Sequence, residues 1–257
     1  MQNTHFSENT PVLDHPIVSV VIPMHNEEGA VEDLIPRVAK AMRDVAPFEI
    51  IVVDDGSTDA TLERLQTTRR TVPQLRILRH AAAAGQSAAI HSAVLAARAQ
   101  VCCMLDGDGQ NPPENLPRLL APFLDGAAPG IGLVAGQRTN RKDTFAKKAA
   151  SRLANALRDG ILKDGVRDTG CGLKAFDRDA FLALPYFDHM HRYLPALFAA
   201  QDRRIVLVDV THEPRLTGQS KYTNLGRAAV GAWDLLGVLW LKRRAKKARA
   251  AEVTQHD

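Results

Sequence analysis

Four short apolar runs, each followed by a polar turn and a helical stretch, constrain this chain more than any other feature. Residues 17–22 read Ile-Val-Ser-Val-Val-Ile, 49–53 Glu-Ile-Ile-Val-Val, 75–78 Leu-Arg-Ile-Leu and 101–105 Val-Cys-Cys-Met-Leu. Near-continuous, largely β-branched runs of this length mark strands buried on both faces. Between them the period changes. Residues 27–45 place Val31, Leu34, Ile35, Val38 and Met42 on one helical stripe. A second helix is expected from a Ser57 or Thr58 cap through residue 65, and an alanine-rich third over 86–99. Strand–helix alternation implies parallel βαβ units, hence an α/β fold with a mostly parallel sheet. With 257 residues, 45% of them hydrophobic, one sizeable core is affordable.

The second half is less regular. Residues 132–136 and 205–211 read as strands, 145–162 as a basic amphipathic helix, and 225–241 as a helix with a broad apolar arc containing Trp233 and Trp240. On that wheel Arg227 and Asp234 fall opposite the arc. No internal repeat and no second domain boundary is visible. The expected organisation is a disordered lead-in over 1–14, one domain over 15–224, and an amphipathic helix with a basic tail over 225–257.

Net charge is +4 and the isoelectric point about 9.1, with basic residues gathered at 138–158 and 242–249. Such clusters suit phosphates or an anionic membrane surface. They lack the interleaved aromatics of a nucleic-acid surface, so no nucleic-acid partner is expected. Cys102, Cys103 and Cys171 have no metal-ligand spacing and read as small buried hydrophobes. The first 15 residues have no apolar signal core, and no stretch of about 20 uncharged apolar residues occurs. A cytoplasmic protein is expected.

In a parallel sheet, ligands bind outside the carboxyl ends of the strands. His25-Asn-Glu27, Asp54-Asp-Gly-Ser57 and Asp106-Gly-Asp108 all fall at such ends. Asp106 and Asp108 stand two apart, so at the end of a strand they point the same way. With Gln110 they offer three oxygen donors to a hard cation, Mg²⁺ or Mn²⁺, which water and substrate phosphates would complete. Gly107 and Gly109 leave room for a diphosphate. The plainer alternative is a polar Asp-Gly turn. Asp54 and Asp55 can accept from a base or a ribose, or simply cap a turn. Glu27 can favour a helix start or hold a ribose. Arg138, ending a strand, and Arg215 and Lys221, flanking a glycine loop, are candidate phosphate contacts; a solvated loop is the alternative.

The ordered set resembles the polyprenyl-phosphate branch of the family 2 glycosyltransferases, the dolichyl-phosphate mannose synthase-like enzymes. Its motifs are Pro23-x-His25-x-Glu27, Val53-Asp-Asp-Gly-Ser-x-Asp59, Asp106-x-Asp108-x-Gln110, Gly136-x-Arg138, Ser151-Arg152 with Asn155, Asp168-x-Gly170 and Arg215-x5-Lys221, spanning residues 17 to 241. The resemblance implies a GT-A fold, a single Rossmann-like domain. It places Pro23, His25, Glu27, Val53 and Asp55 in a nucleoside pocket. Asp106, Gly107, Asp108 and Gln110 would hold the metal and donor diphosphate, and Arg138, Arg215 and Lys221 the phosphates of donor and acceptor.

The implied reaction moves one sugar, with inversion, from a UDP- or GDP-linked donor to a polyprenyl phosphate for envelope glycoconjugates. The enzyme would work peripherally on the inner membrane face, held by the helix at 225–241. That helix can instead pack on the domain. His25 replaces a tyrosine common in the family, and many relatives continue into transmembrane helices. Residues 187–195, Phe-Asp-His-Met-His-Arg-Tyr-Leu-Pro, resemble bacterial synthases that load a hexuronic acid. Two other readings compete. One is a glycosyltransferase with a soluble or protein acceptor and Asp168 as base. The other is a non-catalytic nucleotide-sugar sensor. A dinucleotide oxidoreductase is disfavoured, because no Gly-x-Gly-x-x-Gly follows the first strand.

Overall fold

The computed structural model describes residues 15–126, 130–139, 160–162, 165–213 and 224–246, with backbone only for 224–230. The first half runs β1 (Val18–Met24), α1 (Glu28–Met42), β2 (Phe48–Asp55), α2 (Thr61–Thr68), β3 (Leu75–His80), α3 (Gln86–Ala96) and β4 (Val101–Met104). The second runs α4 (Leu116–Leu124), β5 (Ile131–Arg138), β6 (Lys174–Asp177), α5 (Arg178–Leu182), α6 (Leu194–Ala200), β7 (Arg204–Val210) and α7 (Asn224–Arg244). One seven-stranded sheet results, in the order β3-β2-β1-β4-β6-β5-β7. Its pairs are parallel except where β6 meets β4 and β5. The expected mostly parallel α/β domain is therefore present.

Helices cover both faces. Val18, Val20, Ile22, Ile50, Val52 and Cys103 point into a core with α1, α2 and α4. Val21, Ile51, Val53, Cys102, Met104 and Phe176 point into a second core with α3, α5 and α6. The adjacent cysteines thus face opposite layers, and both are fully buried. Burial pushes the Cys102 thiol up to about 12 and the Cys103 thiol higher still. Neither is a nucleophile at neutral pH.

Three local expectations need correction. Neither Ser57 nor Thr58 caps α2: its cap position is Ala60 without a side-chain bond, and Asp59 Oδ1 accepts from the Thr61 amide at 3.0 Å. Ser57 and Thr58 instead serve the neighbouring loop. β3 runs on to His80, two residues past the apolar run, because His80 still pairs with Asp55 of β2. Third, β6 has no counterpart among the expected strands. Its first residue, Lys174, is a charged side chain buried at the centre of the sheet.

Residues 214–223, which include Arg215 and Lys221, lie outside the described residues. So do Ser151, Arg152, Asn155 and most of the helix expected at 145–162. In α7, Val238 is fully buried and Leu235 packs on the core. The Tyr193 hydroxyl donates to the Gly231 carbonyl at 3.0 Å, and Lys242 donates to the Leu162 carbonyl. Asp234 faces this packed side, 3.2 Å from His189 Nδ1. Trp233, Leu236 and Trp240 face outward, 77%, 55% and 60% exposed. Among the described residues no helix is long and apolar enough to cross a membrane.

Candidate active site

The sheet order changes direction between β1 and β4, and chain crossovers leave that point on opposite sides. Loops from β1, β2, β3, β4 and β5 meet at the carboxyl edge beside it. The β1 and β2 loops are stitched together. The Asn26 amide donates to Ser57 Oγ at 3.0 Å and Asn26 Oδ1 accepts from the Thr58 amide at 2.8 Å. The Glu27 amide donates to Thr61 Oγ1 at 2.9 Å. Asn26 adopts φ 54° to do this, a conformation asparagine tolerates. His25 Nδ1 lies 2.7 Å from the Asp55 carbonyl. A carbonyl only accepts, so Nδ1 carries the hydrogen, and Nε2 accepts from Asn26 Nδ2 at 3.4 Å.

Asp55 is more committed than its motif suggests. Its carboxylate accepts from the Ala84 amide at 2.9 Å, the Gly85 amide at 2.8 Å and His80 Nδ1 at 2.7 Å. His80 Nε2 in turn meets Ser92 Oγ at 2.9 Å. Burial raises the Asp55 pKa, but these donors outweigh it and the net shift is downward. Asp55 therefore anchors the 81–85 loop in addition to any ligand contact. Asp54 is fully buried; one oxygen accepts from the Ser57 amide at 3.1 Å, and the other lies 3.4 Å from Arg79 Nε. Val53 is fully buried in the second core, so only its backbone is available to a ligand. Pro23 is also buried, with its carbonyl against Gly107: a Cβ on Gly107 would lie 2.6 Å from that oxygen.

Gln86 Nε2 donates to Asp106 Oδ1 at 2.8 Å and Asn111 Nδ2 to Oδ2 at 2.9 Å. Asp108 Oδ1 accepts from the Gln110 amide at 3.1 Å. Asp106, Asp108 and Gln110 are all partly exposed at the edge. Gly172 presses on Asp106 from the other side, where a Cβ would lie 2.1 Å from Oδ2. Among the described residues no three acidic, histidine or cysteine side chains form a metal cluster. Two carboxylates at one strand end still fit a hard divalent cation whose remaining positions are water and substrate phosphate. Asp106, Asp108 and Gln110 would hold it.

Arg138, at the end of β5, is clamped by Asp168 through two bonds: Nε to Oδ2 at 2.6 Å and Nη2 to Oδ1 at 2.8 Å. The Asp168 amide donates to Gln137 Oε1 at 3.0 Å. The Arg138 pKa is raised first by Asp168, against the cost of burial, with Asp106 adding a smaller attraction. The cation thus stands near the acidic pair. Sequence reasoning missed Gln86, Asn111 and Gly172 as partners of Asp106. Only the position of Gln86 at the start of a helix hinted at it.

The family model for glycosyl transferase family 2 matches residues 19–184. The undecaprenyl-phosphate 4-deoxy-4-formamido-L-arabinose transferase of Pectobacterium carotovorum is 37% identical over 213 residues, 81% of this chain and 63% of that protein. The dodecaprenyl-phosphate galacturonate synthase of Rhizobium johnstonii is 36% identical over 231 residues, 88% of this chain and 67% of that protein. The chain thus spans about two thirds of the length of such relatives. Among solved structures, glucosyl-3-phosphoglycerate synthase from Mycobacterium tuberculosis, in complex with Mn²⁺, UDP and glucosyl-3-phosphoglycerate, superposes with a TM-score of 0.67 at 20% identity, covering 88% of this chain and 80% of that one. A mannosyltransferase from Pyrobaculum calidifontis, in complex with GDP-mannose and Mn²⁺, gives 0.63 at 20% identity, covering 93% and 67%.

Proposed function

Because the chain belongs to glycosyl transferase family 2, we propose that it transfers one sugar from a nucleoside-diphosphate donor to a polyprenyl phosphate. The observation that carries this reading is the convergence of Asp106, held by Gln86 and Asn111, with the Asp168-clamped Arg138 at one sheet edge. Both reactants are anionic, so their phosphates must be held together against mutual repulsion. The stitched β1 and β2 loops take the nucleoside, with His25 and Glu27 at their rim and the carboxylate of Asp55 buried. Asp106 and Asp108 face the donor diphosphate. A bound Mg²⁺ or Mn²⁺ would neutralise charge developing on that leaving group.

Arg138 offers a fixed guanidinium to the acceptor phosphate, and Arg215 and Lys221 are assigned to the same work by their motif. An acceptor phosphate oxygen attacks the anomeric carbon as the bond to the donor diphosphate breaks. The nucleoside diphosphate leaves with the bonding pair, and the sugar is inverted. The attacking oxygen is already an anion, so no strong base is needed. Asp168, the base a hydroxyl acceptor would call on, has both oxygens on Arg138. This favours the phosphate acceptor over an alcohol. Holding two charged groups at a fixed separation supplies much of the rate.

The acceptor resides in a membrane, and α7 suits contact with one. Its inner side is packed, its outer side carries Trp233, Leu236 and Trp240, and Lys242, Arg243 and Arg244 close it. An apolar face with a basic flank is the pattern of a helix lying in the interface. The sugar is a uronic acid or a related pentose in this reading, as in the relatives named above. A donor panel tests the whole: nucleotide release from UDP- and GDP-sugars, with Mn²⁺ or Mg²⁺, with and without a short polyprenyl phosphate. Release that depends on the polyprenyl phosphate is expected. Turnover that ignores it and answers instead to soluble hydroxyl acceptors would overturn the assignment.

A further inference from the structure

Lys174 has no part in the mechanism above, yet its charged side chain is buried beside the site. It opens β6, between Met104 of β4 and Ala135 of β5, and is 2% exposed. Its ammonium donates to the Cys171 carbonyl and, at 3.4 Å, to the Thr169 carbonyl. Among the described residues it pairs with no carboxylate. A buried ammonium without an ion-pair partner weakens a fold rather than strengthening it.

The two carbonyls it holds belong to one turn. At the head of that turn, Asp168 clamps Arg138. At its end, Gly172 packs directly on the Asp106 carboxylate. Residues 168–172 are thus at once the anchor of the site's cation and the wall behind its metal-facing carboxylate. Gly170 and Gly172 leave the turn few side chains of its own with which to hold its shape.

We propose that Lys174 is a positioning residue: its buried ammonium fixes the 168–172 turn from beneath and so sets the places of Asp106 and Arg138. The proposal rests on the reading of Asp106 as a carboxylate of the divalent-cation site. Lys174 touches no substrate. It acts through two backbone carbonyls, in the way outer-shell partners orient the ligands of a metal.

The test is Mn²⁺ binding, followed by the electron paramagnetic resonance of free Mn²⁺ in the presence of UDP and, separately, GDP. Wild type, Lys174→Met and Asp106→Asn are compared, with thermal unfolding of each. Lys174→Met keeps the volume and drops the charge and the donors. It is expected to unfold at the wild-type temperature or above while binding Mn²⁺ about tenfold more weakly or worse. Affinity within about twofold of wild type, while Asp106→Asn loses binding, would overturn the role of Lys174 and leave the metal reading standing. Wild-type affinity in Asp106→Asn would remove the metal reading and this inference with it. Should the methionine variant fail to fold, Lys174→Leu, which likewise drops the charge and the donors, is judged by the same titration and the same limits.

Discussion

Adding one methyl group at Gly172 should disable the site while leaving the fold in place. A Cβ there would lie 2.1 Å from Asp106 Oδ2, 2.4 Å from its Cγ and 2.6 Å from Oδ1. Carbon and oxygen do not approach so closely, so the carboxylate must retreat by roughly 1 Å to regain ordinary contact. Retreat breaks its bonds to Gln86 and Asn111, now 2.8 and 2.9 Å. Hydrogen bonds to a charged group are worth about 1.5–3 kcal/mol each. The local overpacking costs about 1–3 kcal/mol. The opposing gain, a stiffer unfolded chain, is only about 0.4–1 kcal/mol, so the steric effect wins. For a domain of this size the net loss lowers the unfolding midpoint by several degrees, at roughly 2–4 °C per kcal/mol. A reacting group misplaced by about 1 Å costs on the order of a hundredfold in rate. Gly172→Ala should therefore reduce polyprenyl-phosphate-dependent nucleotide release about a hundredfold, with the circular dichroism of a folded α/β protein retained. A variant with kcat/KM within about threefold of wild type would show that Asp106 needs neither its amide partners nor its position.

Asp108→Asn should abolish turnover without lowering the unfolding temperature, since its side chain lies partly exposed at the edge; near-normal activity in saturating Mn²⁺ would remove it from the cation site. The chain's two tryptophans, Trp233 and Trp240, both sit on the outer face of α7. Their emission should shift to the blue on adding anionic vesicles, and less so at high salt; an unchanged spectrum alongside vesicle flotation would place the membrane contact elsewhere. His191 is buried with Nδ1 2.8 Å from Ser87 Oγ, and burial, aided by the Lys174 charge, pushes its pKa down to about 3. The folded imidazole stays neutral while the unfolded one gains a proton below its ordinary 6.5. Stability is therefore whole above that pH and falls below it, by up to about 1.4 kcal/mol per pH unit. Urea unfolding at pH 7, about 6 and about 5 should show a steeper loss for wild type than for His191→Gln; parallel losses would exclude this imidazole as the cause.

The parallel half of the fold was legible because its strands are buried on both faces and so consist almost wholly of apolar residues. Loop positions at the strand ends followed from that, and with them Asp106, Asp108, Asp55 and His25. β6 was not legible. Its residues, Lys-Ala-Phe-Asp, carry a charge where a central strand is expected to be apolar, and that charge is satisfied by carbonyls three and five residues back. The partners of the site side chains were hidden for a different reason. Gln86 is 20 residues from Asp106, and Asp168 is 30 from Arg138. Spacing rules reach one turn of helix or one strand pair, and these contacts are made by the packing of the sheet. On the helical wheel of residues 225–241 Asp234 falls opposite the apolar arc. Asp234, though, is turned toward the domain, because His189 offers it a partner there.

The antiparallel β6 also bears on how the chain can be cut. Among the described residues it alone joins β4 to the β5–β7 pair within the sheet. Ribosomes deliver β1 to β4, with the nucleoside loops and both acidic side chains, well before β6 emerges. Until then β4 presents a bare edge, Val-Cys-Cys-Met, uncharged and apolar, of the kind that pairs with other chains. A fragment ending near residue 126 would hold most of the donor-side groups and still be prone to aggregate. Expression trials that shorten the chain from its carboxyl end should keep β6, because that strand shields the open edge of the first half.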